Sequence, residues 1–389
     1  MDNNSKHIGL YIHIPFCLHK CAYCDFCSAE QKDKMQKAAY VDALVLDIEN
    51  TAKQVSDDGI IVDSIYFGGG TPTLLTKKEI YLLTDTIYDC FNVTEDAEFT
   101  FEANPATLDT SKAKCLIDCG VNRLSIGLQS VHNEELEALE RIHDYRDFVK
   151  SYKAARKAGF DNINVDVMYG IPEQSEASFS ETLEAVCDAE PEHISMYGLR
   201  IEDSTPFAAY RHTLNLPSEE SEYAMYRIGR EYLAQRGYTQ YEISNYAKNG
   251  KESRHNLKYW QMKEYLGFGV SAHSYYGNKR YARISDTDKY ISCICGESDF
   301  ETIIAKNSVE VIDEKAREIE YVMLSLRMAS GVNKEEYEKL FGVSFDSKYK
   351  SRIKDYVDAG FLINSPKSCT FSVEGLYVSN RILSDILDL

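Results

Sequence analysis

From residue 7 to about residue 245, short runs of β-branched and aromatic residues alternate with longer stretches in which apolar side chains recur every three or four positions. That alternation is the sequence form of a parallel sheet assembled from strand–helix units. It predicts strands at Gly9–Ile14, Ser64–Phe67, Glu98–Glu102, Arg123–Gly127, Asn162–Met168 and His193–Leu199, with a further one at Tyr241–Ser244. The clearest helix is predicted from about Lys32 to Val55, where Val41, Leu44, Val45 and Ile48 stand at i, i+3, i+4 and i+7 and so share one face. Three helices are predicted to end on glycine before an apolar strand start, at Gly120-Val121, Gly159-Phe160 and Gly237-Tyr238, because glycine takes the left-handed position after a helix without steric cost. Residues 1–247 therefore read as a barrel-like series of βα units.

Past Lys248 the pattern breaks. Residues 248–310 are rich in Tyr, Gly, His and Asn without a sustained period, which predicts a loop-rich connecting region that binds something. Periodicity returns in residues 311–389 as three helices, a hairpin from Gly360 to Ser372 turning at Ser365-Pro366, and a last helix. This is the outline of a winged helix. The fold class expected is α/β, a partial (β/α)6 barrel followed by a C-terminal winged-helix-like α+β domain.

Composition narrows the function. A chain of 389 residues with 44% apolar side chains can bury a large core and a smaller second one. Its formal net charge of -19 argues against nucleic acid, whose phosphates need a basic face. The one basic run, Lys348, Lys350, Arg352 and Lys354, lies in a tail that is acidic as a whole. The start, Met1 to Ile8, is polar and lacks the pattern of a signal peptide, and no apolar stretch reaches transmembrane length. Eleven cysteines in such a chain point to a reducing, cytoplasmic setting, where thiols serve as metal ligands or small buried hydrophobes. Cys90, Cys115, Cys119, Cys187, Cys293, Cys295 and Cys369 are scattered and read as buried thiols.

The other four cysteines are not scattered. Cys17, Cys21 and Cys24 form a CxxxCxxC loop directly after the first predicted strand, a local thiolate set of the kind that holds an iron–sulfur cluster. Three ligands leave one iron of a 4Fe-4S cluster open, and that iron can chelate the amino and carboxylate groups of S-adenosylmethionine (SAM). Cys27 offers an alternative, a zinc site with Cys27 as fourth ligand. A zinc knuckle, however, separates its two cysteine pairs by a longer stretch, and the rest of the chain supplies the remainder of a SAM site. Gly68-Gly69-Gly70-Thr71-Pro72-Thr73 follows the second strand, where glycines let backbone approach a ligand closely. Glu102, Gln129 and Asp166 then fall at the C-terminal ends of successive strands, the ligand-binding edge of parallel α/β barrels, with Arg141 one helix further on.

With Tyr11-Ile-His-Ile-Pro-Phe-Cys17, Glu102-Ala-Asn-Pro105, Asn122-Arg-Leu-Ser-Ile-Gly-Leu-Gln129, Asp166-Val-Met-Tyr-Gly-Ile-Pro172 and His255-Asn-Leu-Lys-Tyr-Trp260, the chain resembles radical SAM proteins of the oxygen-independent coproporphyrinogen III oxidase group almost end to end. It is most similar to the haem chaperones of that group. The resemblance implies a radical SAM barrel and SAM contacts at Tyr11, Tyr23, Gly69, Gly70, Thr71, Glu102, Gln129, Arg141 and Asp166, with Arg200 contacting adenine through its backbone. It also implies haem as a ligand. His255, beside Tyr259 and the lone tryptophan Trp260, is the expected axial ligand, and His273 a second candidate.

Two departures separate this chain from the porphyrinogen decarboxylases of the group. Those carry a fourth cysteine two residues after the third and a substantial N-terminal extension, whereas here Cys27 comes three residues after Cys24 and the motif begins almost at the start. The expected function is therefore a haem chaperone that delivers haem to a respiratory haem protein, acting as a monomer or homodimer. It would use an electron donor, bind no nucleic acid, and leave room for peripheral membrane association. The alternative is an enzyme whose 5′-deoxyadenosyl radical attacks a porphyrin, in coproporphyrinogen decarboxylation or in anaerobic methylation and opening of haem. A DNA-binding iron–sulfur regulator would rest on the tail outline alone.

Overall fold

The computed structural model describes residues 6–296 and 303–388. The polar start Met1–Ser5 and residues 297–302 of the connecting region lie outside the described residues. Six parallel strands run in chain order across one sheet: Lys6–Ile14, Ile60–Gly69, Val93–Ala103, Arg123–Gln129, Ile163–Tyr169 and His193–Gly198. Helices return the chain between them. The first, Lys34–Gln54, is capped by the Asp33 carboxylate accepting from the Met35 amide, and it buries Val41, Leu44 and Ile48 of the predicted stripe. Gly120, Gly159 and Gly237 all have positive φ, at 89°, 118° and 86°, as expected of helix-terminating glycines.

Strand alternation sorts the two faces of the sheet. On the first strand Ile8, Leu10, Ile12 and Ile14 are fully buried in the large apolar core. Gly9, Tyr11 and His13 point the other way, into the barrel. There the Tyr11 and Tyr66 rings lie 6.2 Å apart, and the Tyr66 hydroxyl donates to Glu102 Oε1 at 2.8 Å. The barrel face is thus polar and aromatic while the helix face is aliphatic.

The connecting region is more ordered than its composition predicts. Tyr265–Phe268 pairs in parallel with the first strand and adds a seventh parallel strand, and His273–Tyr276 and Lys279–Ala282 continue the sheet as antiparallel strands. Helix Arg254–Trp260 packs against the second barrel strand, with His255 inside. At the opposite edge the strand expected at Tyr241–Ser244 is instead the turn of a hairpin formed by Thr239–Gln240 and Asn245–Ala247. Local side-chain bonds displace the ladder there: Gln240 Nε2 donates to Ile243 O at 3.1 Å and the Ser244 amide donates to Glu242 Oε1 at 3.3 Å.

The C-terminal part has its own apolar core, built on helices Glu314–Arg327, Lys334–Phe341, Phe345–Asp358 and Ser379–Leu387. The hairpin Leu362–Asn364/Ser368–Phe371 gains a third strand at Val332–Asn333. Tyr377 seats this part on the barrel, its ring 4.9 Å from that of Tyr223 and 5.2 Å from that of Tyr226. Among the described residues no helix is long and apolar enough to cross a membrane.

Candidate functional site

The cysteine loop leaves the sheet at Ile14 and is closed at its base. Phe16–Cys17 pairs with Ala29–Glu30, the Ala29 amide donating to Pro15 O and the Gln31 amide to Cys17 O, both at 2.8 Å. Residues 18–28 are therefore an excursion with fixed ends. Within it the Cys24 amide donates to Cys21 O at 3.1 Å, a tight turn that holds two of the three thiols one after the other. Cys17 is buried and Cys21 and Cys24 are half-buried, and all three line a cavity of about 430 Å³ at the C-terminal ends of the strands.

The glycine run forms the adjoining wall. The Gly70 amide donates to Ile14 O at 2.8 Å and the Thr71 amide to Phe16 O at 2.7 Å, so this loop and the cysteine loop are laced together. Gly69 has φ 107°, and a Cβ there would come within 2.5 Å of the His13 ring, so no larger residue fits without displacing it. Thr71 stands behind the cavity, its hydroxyl donating to Cys17 Sγ at 3.7 Å and accepting from Asn104 Nδ2 at 2.7 Å.

The same cavity gathers most of the residues expected from sequence: Tyr23, Gly69, Gly70, Glu102, Gln129, Arg141, Asp166 and Arg200. Arg141 organises one side. Its guanidinium donates to Tyr23 Oη at 2.8 Å, Asn104 Oδ1 at 2.9 Å and Gly127 O at 2.9 Å, and it reaches within 3.9 Å of Cys21 Sγ. Burial raises the thiol pKa of Cys21, and the Arg141 charge acts against that rise. Glu102 accepts from the Tyr66 hydroxyl and from the Gly69 amide at 3.2 Å. Burial nevertheless pushes its carboxyl up to about 7, with Asp166 adding to the rise. Burial raises Asp166 as well, against hydrogen bonds from Asn164 and Ser195.

Two polar groups in the cavity wall lack partners. Gln129 is buried, with a left-handed φ of 74°, and its Oε1 has no hydrogen bond. Arg123 is 2% exposed, its Nη1 reaches only Thr100 Oγ1 at 3.4 Å, and its Nε is unpaired. Buried polar atoms in this state are rare outside binding sites. The donor set, three thiols on one short loop facing the same cavity, suits an iron–sulfur cluster that takes one thiolate per iron.

Two expected residues, Tyr11 and His255, lie elsewhere. Tyr11 donates to His13 Nδ1 at 3.0 Å and lines a second groove on the other side of the loop segment Asp25–Cys27. Cys27 faces that groove too, its thiol donating to Ser285 O at 3.6 Å. His255 is 1% exposed, with Nδ1 bonded to Ser64 Oγ at 3.0 Å and Nε2 to Tyr259 Oη at 2.8 Å. Burial, reinforced by Lys258 and Arg123, lowers its pKa to about 3. Its ring is therefore neutral, with both nitrogens engaged by protein hydroxyls, and it packs 5.2 Å from the Tyr66 ring. Sequence reasoning passed over Tyr66, Asn104 and Arg123, although the last two stand inside the quoted motifs beside Glu102 and Asn122.

Comparison with known proteins places this geometry. The radical SAM superfamily matches residues 11–186, and the HemN C-terminal domain matches residues 312–378. The chain is 35% identical over 384 residues to the heme chaperone HemW of Bacillus subtilis (strain 168), covering 97% of this chain and 98% of that one. It is 38% identical over 266 residues to the heme chaperone HemW of Escherichia coli (strain K12), covering 68% and 69%. It is also 30% identical over 405 residues to the mitochondrial radical S-adenosyl methionine domain-containing protein 1 of Bos taurus, covering 98% and 88%. In fold it is similar to coproporphyrinogen III oxidase (HemN) from Escherichia coli, a radical SAM enzyme, with a TM-score of 0.86 at 23% identity, covering 98% of this chain and 90% of that one. The expected α/β class, a radical SAM barrel with a C-terminal domain, is borne out.

Proposed function

The chain belongs to the HemW haem chaperone family of the radical SAM superfamily, and from that membership we propose that it binds haem and delivers it to a haem-requiring respiratory protein, with a cluster-bearing SAM domain supporting the transfer. The observation that carries this reading is the end-to-end likeness to haem chaperones over 97% of the chain, which takes in barrel, connecting region and C-terminal part alike. Cys17, Cys21 and Cys24 would hold a 4Fe-4S cluster, and Glu102, Gln129, Arg141 and Asp166 would face SAM in the adjoining cavity. When bound, such a cluster supplies an electron to the SAM sulfonium. An electron donor and an acceptor protein complete the set of partners, and the net charge of -19 makes a nucleic-acid role unsupported.

The protein's own contribution at this site is electrostatic. SAM carries a sulfonium and an ammonium, and Glu102 and Asp166 are two half-buried, poorly solvated carboxyls that a cation would relieve. Because the folded protein holds the Glu102 proton more tightly than an unfolded chain does, ionising it without a ligand costs stability as pH rises from the usual carboxylate range towards 7. A cationic ligand favours the ionised form. SAM affinity is therefore expected to rise with pH up to about 7, by at most about tenfold per unit for one proton, and to level off above. Glu102→Gln should weaken binding and flatten that slope in equilibrium titrations from pH 5.5 to 8. A variant with unchanged affinity and slope would remove Glu102 from the SAM site.

For the chaperone reading itself, anaerobically reconstituted protein is expected to take up haem stoichiometrically and to leave coproporphyrinogen III unchanged in the presence of SAM and reductant. Turnover of coproporphyrinogen with matching release of 5′-deoxyadenosine would replace the chaperone with the enzyme.

A further inference from the structure

Helix Arg254–Trp260 of the connecting region is fastened to the barrel faces of two neighbouring strands, and the same two strands carry part of the wall of the SAM cavity. Residues two apart on a strand share a face, so Ser64, Tyr66 and Gly68 of Ile60–Gly69 form one row, and Glu98, Thr100 and Glu102 of Val93–Ala103 form the next. At one end of these rows the helix is gripped. Ser64 Oγ is 3.0 Å from His255 Nδ1, and the Glu98 carboxylate accepts from the Arg254 amide at 2.8 Å, the His255 amide at 2.9 Å and the Ser253 hydroxyl at 3.2 Å. At the other end the rows meet the ligand cavity, where Glu102 accepts from the Gly69 amide.

Tyr66 spans the two ends. Its hydroxyl donates to Glu102 Oε1 at 2.8 Å, and its ring lies 5.2 Å from that of His255. The packing around it is close, since a Cβ at Gly68 would come within 2.9 Å of the Tyr66 ring and 3.1 Å of the Glu102 carboxyl. Beyond His255 the contacts continue to the Tyr259 hydroxyl, 2.8 Å from Nε2, and to Tyr265, whose ring meets that of Tyr259 at 4.6 Å. The helix also enters the cavity directly, through Asn256. A ligand filling the cavity therefore meets the helix at Asn256 and, by way of Glu102 and Tyr66, at His255.

We propose that Tyr66 is a positioning residue that couples two ligands, so that SAM in the cavity holds helix Arg254–Trp260 in its packed arrangement and lowers the affinity of that helix for haem. This coupling rests on the haem-chaperone reading, with the helix as the haem contact. Two arrangements of the helix differ in what His255 touches. In the packed one both ring nitrogens are engaged by hydroxyls, so iron coordination at His255 must displace Ser64 or Tyr259. A SAM cation beside Glu102 favours the ionised carboxylate, the stronger acceptor for the Tyr66 hydroxyl, and that bond fixes the ring against His255. SAM thus gains contacts in the packed arrangement that the opened one lacks, which is the condition for a population shift. By linkage, haem weakens SAM binding by the same factor. For a chaperone the consequence is directional: the SAM-free protein loads haem, and SAM favours its release.

The test is a haem titration of the full-length, anaerobically reconstituted protein with and without saturating SAM. Amide hydrogen exchange of residues 254–260 is read on the haem-free protein under the same two conditions. In the wild type SAM is expected to weaken haem binding by about fivefold or more, the lower end of ordinary coupling between sites, and to slow exchange in the helix. Tyr66→Phe keeps the ring on His255 and removes the hydroxyl from Glu102. It should unfold at the wild-type urea midpoint and show no slowing of exchange, its haem affinity changing by less than about twofold on adding SAM. Asn256→Ala removes the direct contact alone and should keep part of both effects. Wild-type haem affinity that SAM leaves unchanged, or tightens, overturns the coupling while the chaperone reading stands. Full coupling in Tyr66→Phe overturns the role of Tyr66. If the wild type takes up no haem, the chaperone reading fails, and equal exchange with and without SAM then overturns the link between cavity and helix as well.

Discussion

Alanine at Cys17, Cys21 or Cys24 is expected to abolish the brown iron–sulfur chromophore of anaerobically reconstituted protein, with bound iron and sulfide falling to background, whereas Cys27→Ala should retain nearly all of both. Each of the three thiols lines the SAM-side cavity and would hold a different iron, so a cluster deprived of one has no substitute in reach. Cys27 is only three residues from Cys24 in sequence, but its thiol donates to Ser285 O and opens on the other groove. The supporting frame should be intact in every variant, because the base of the loop is held by backbone bonds between residues 15–17 and 29–31. Iron and sulfide analysis with absorbance measures the effect. Equal loss in all four variants would refute the three-ligand arrangement, and retention in any of the first three would remove that cysteine from it.

The largest effect on stability is expected from Asp47→Ala, at about 3–5 kcal/mol, the cost of stripping one partner from a buried ion pair. Asp47 is fully buried on helix Lys34–Gln54. It accepts from Arg283 Nη2 at 2.9 Å, from the Tyr290 hydroxyl at 2.7 Å and from the Gly269 amide at 3.3 Å. One carboxylate thus fastens three parts of the connecting region to the first barrel helix, including the turn that leads into His273. Removing it takes away the carboxylate that meets Arg283 Nε at 3.3 Å and Nη2 at 2.9 Å in the interior. Asp47→Asn keeps the shape but not the charge and should recover only part of the loss. Urea unfolding of the ligand-free protein measures both, and a change below about 1 kcal/mol for Asp47→Ala would show that this carboxylate does not hold the region in place.

Much of the barrel was legible because its strands are buried on both faces and so read as apolar runs with helical periods between them. The cluster loop was legible because its three ligands are local in sequence. The connecting region was not. Its parallel strand Tyr265–Phe268 is four residues long, and it contains Gly267, where a Cβ would meet His273 O at 2.1 Å. A strand whose reason for glycine lies six residues downstream carries no period-two signal of its own.

The site showed the same divide. Glu102, Gln129 and Asp166 announce themselves as polar residues at strand ends. Arg123 sits at the start of its strand and reaches the cavity only through the length of its side chain. The surroundings of His255 were hidden for a related reason: its hydrogen-bond partner Ser64 lies 191 residues away in sequence.

The most direct test of the account is haem transfer. Protein loaded with one equivalent of haem, with cluster and SAM present, is mixed anaerobically with an apo-haem protein whose holo spectrum differs from its own. The account predicts that the acceptor's spectrum appears at a rate above that of free haem and depends on the donor chain's cluster. Haem that stays on the chain, or that reaches the acceptor no faster than free haem does, would contradict it.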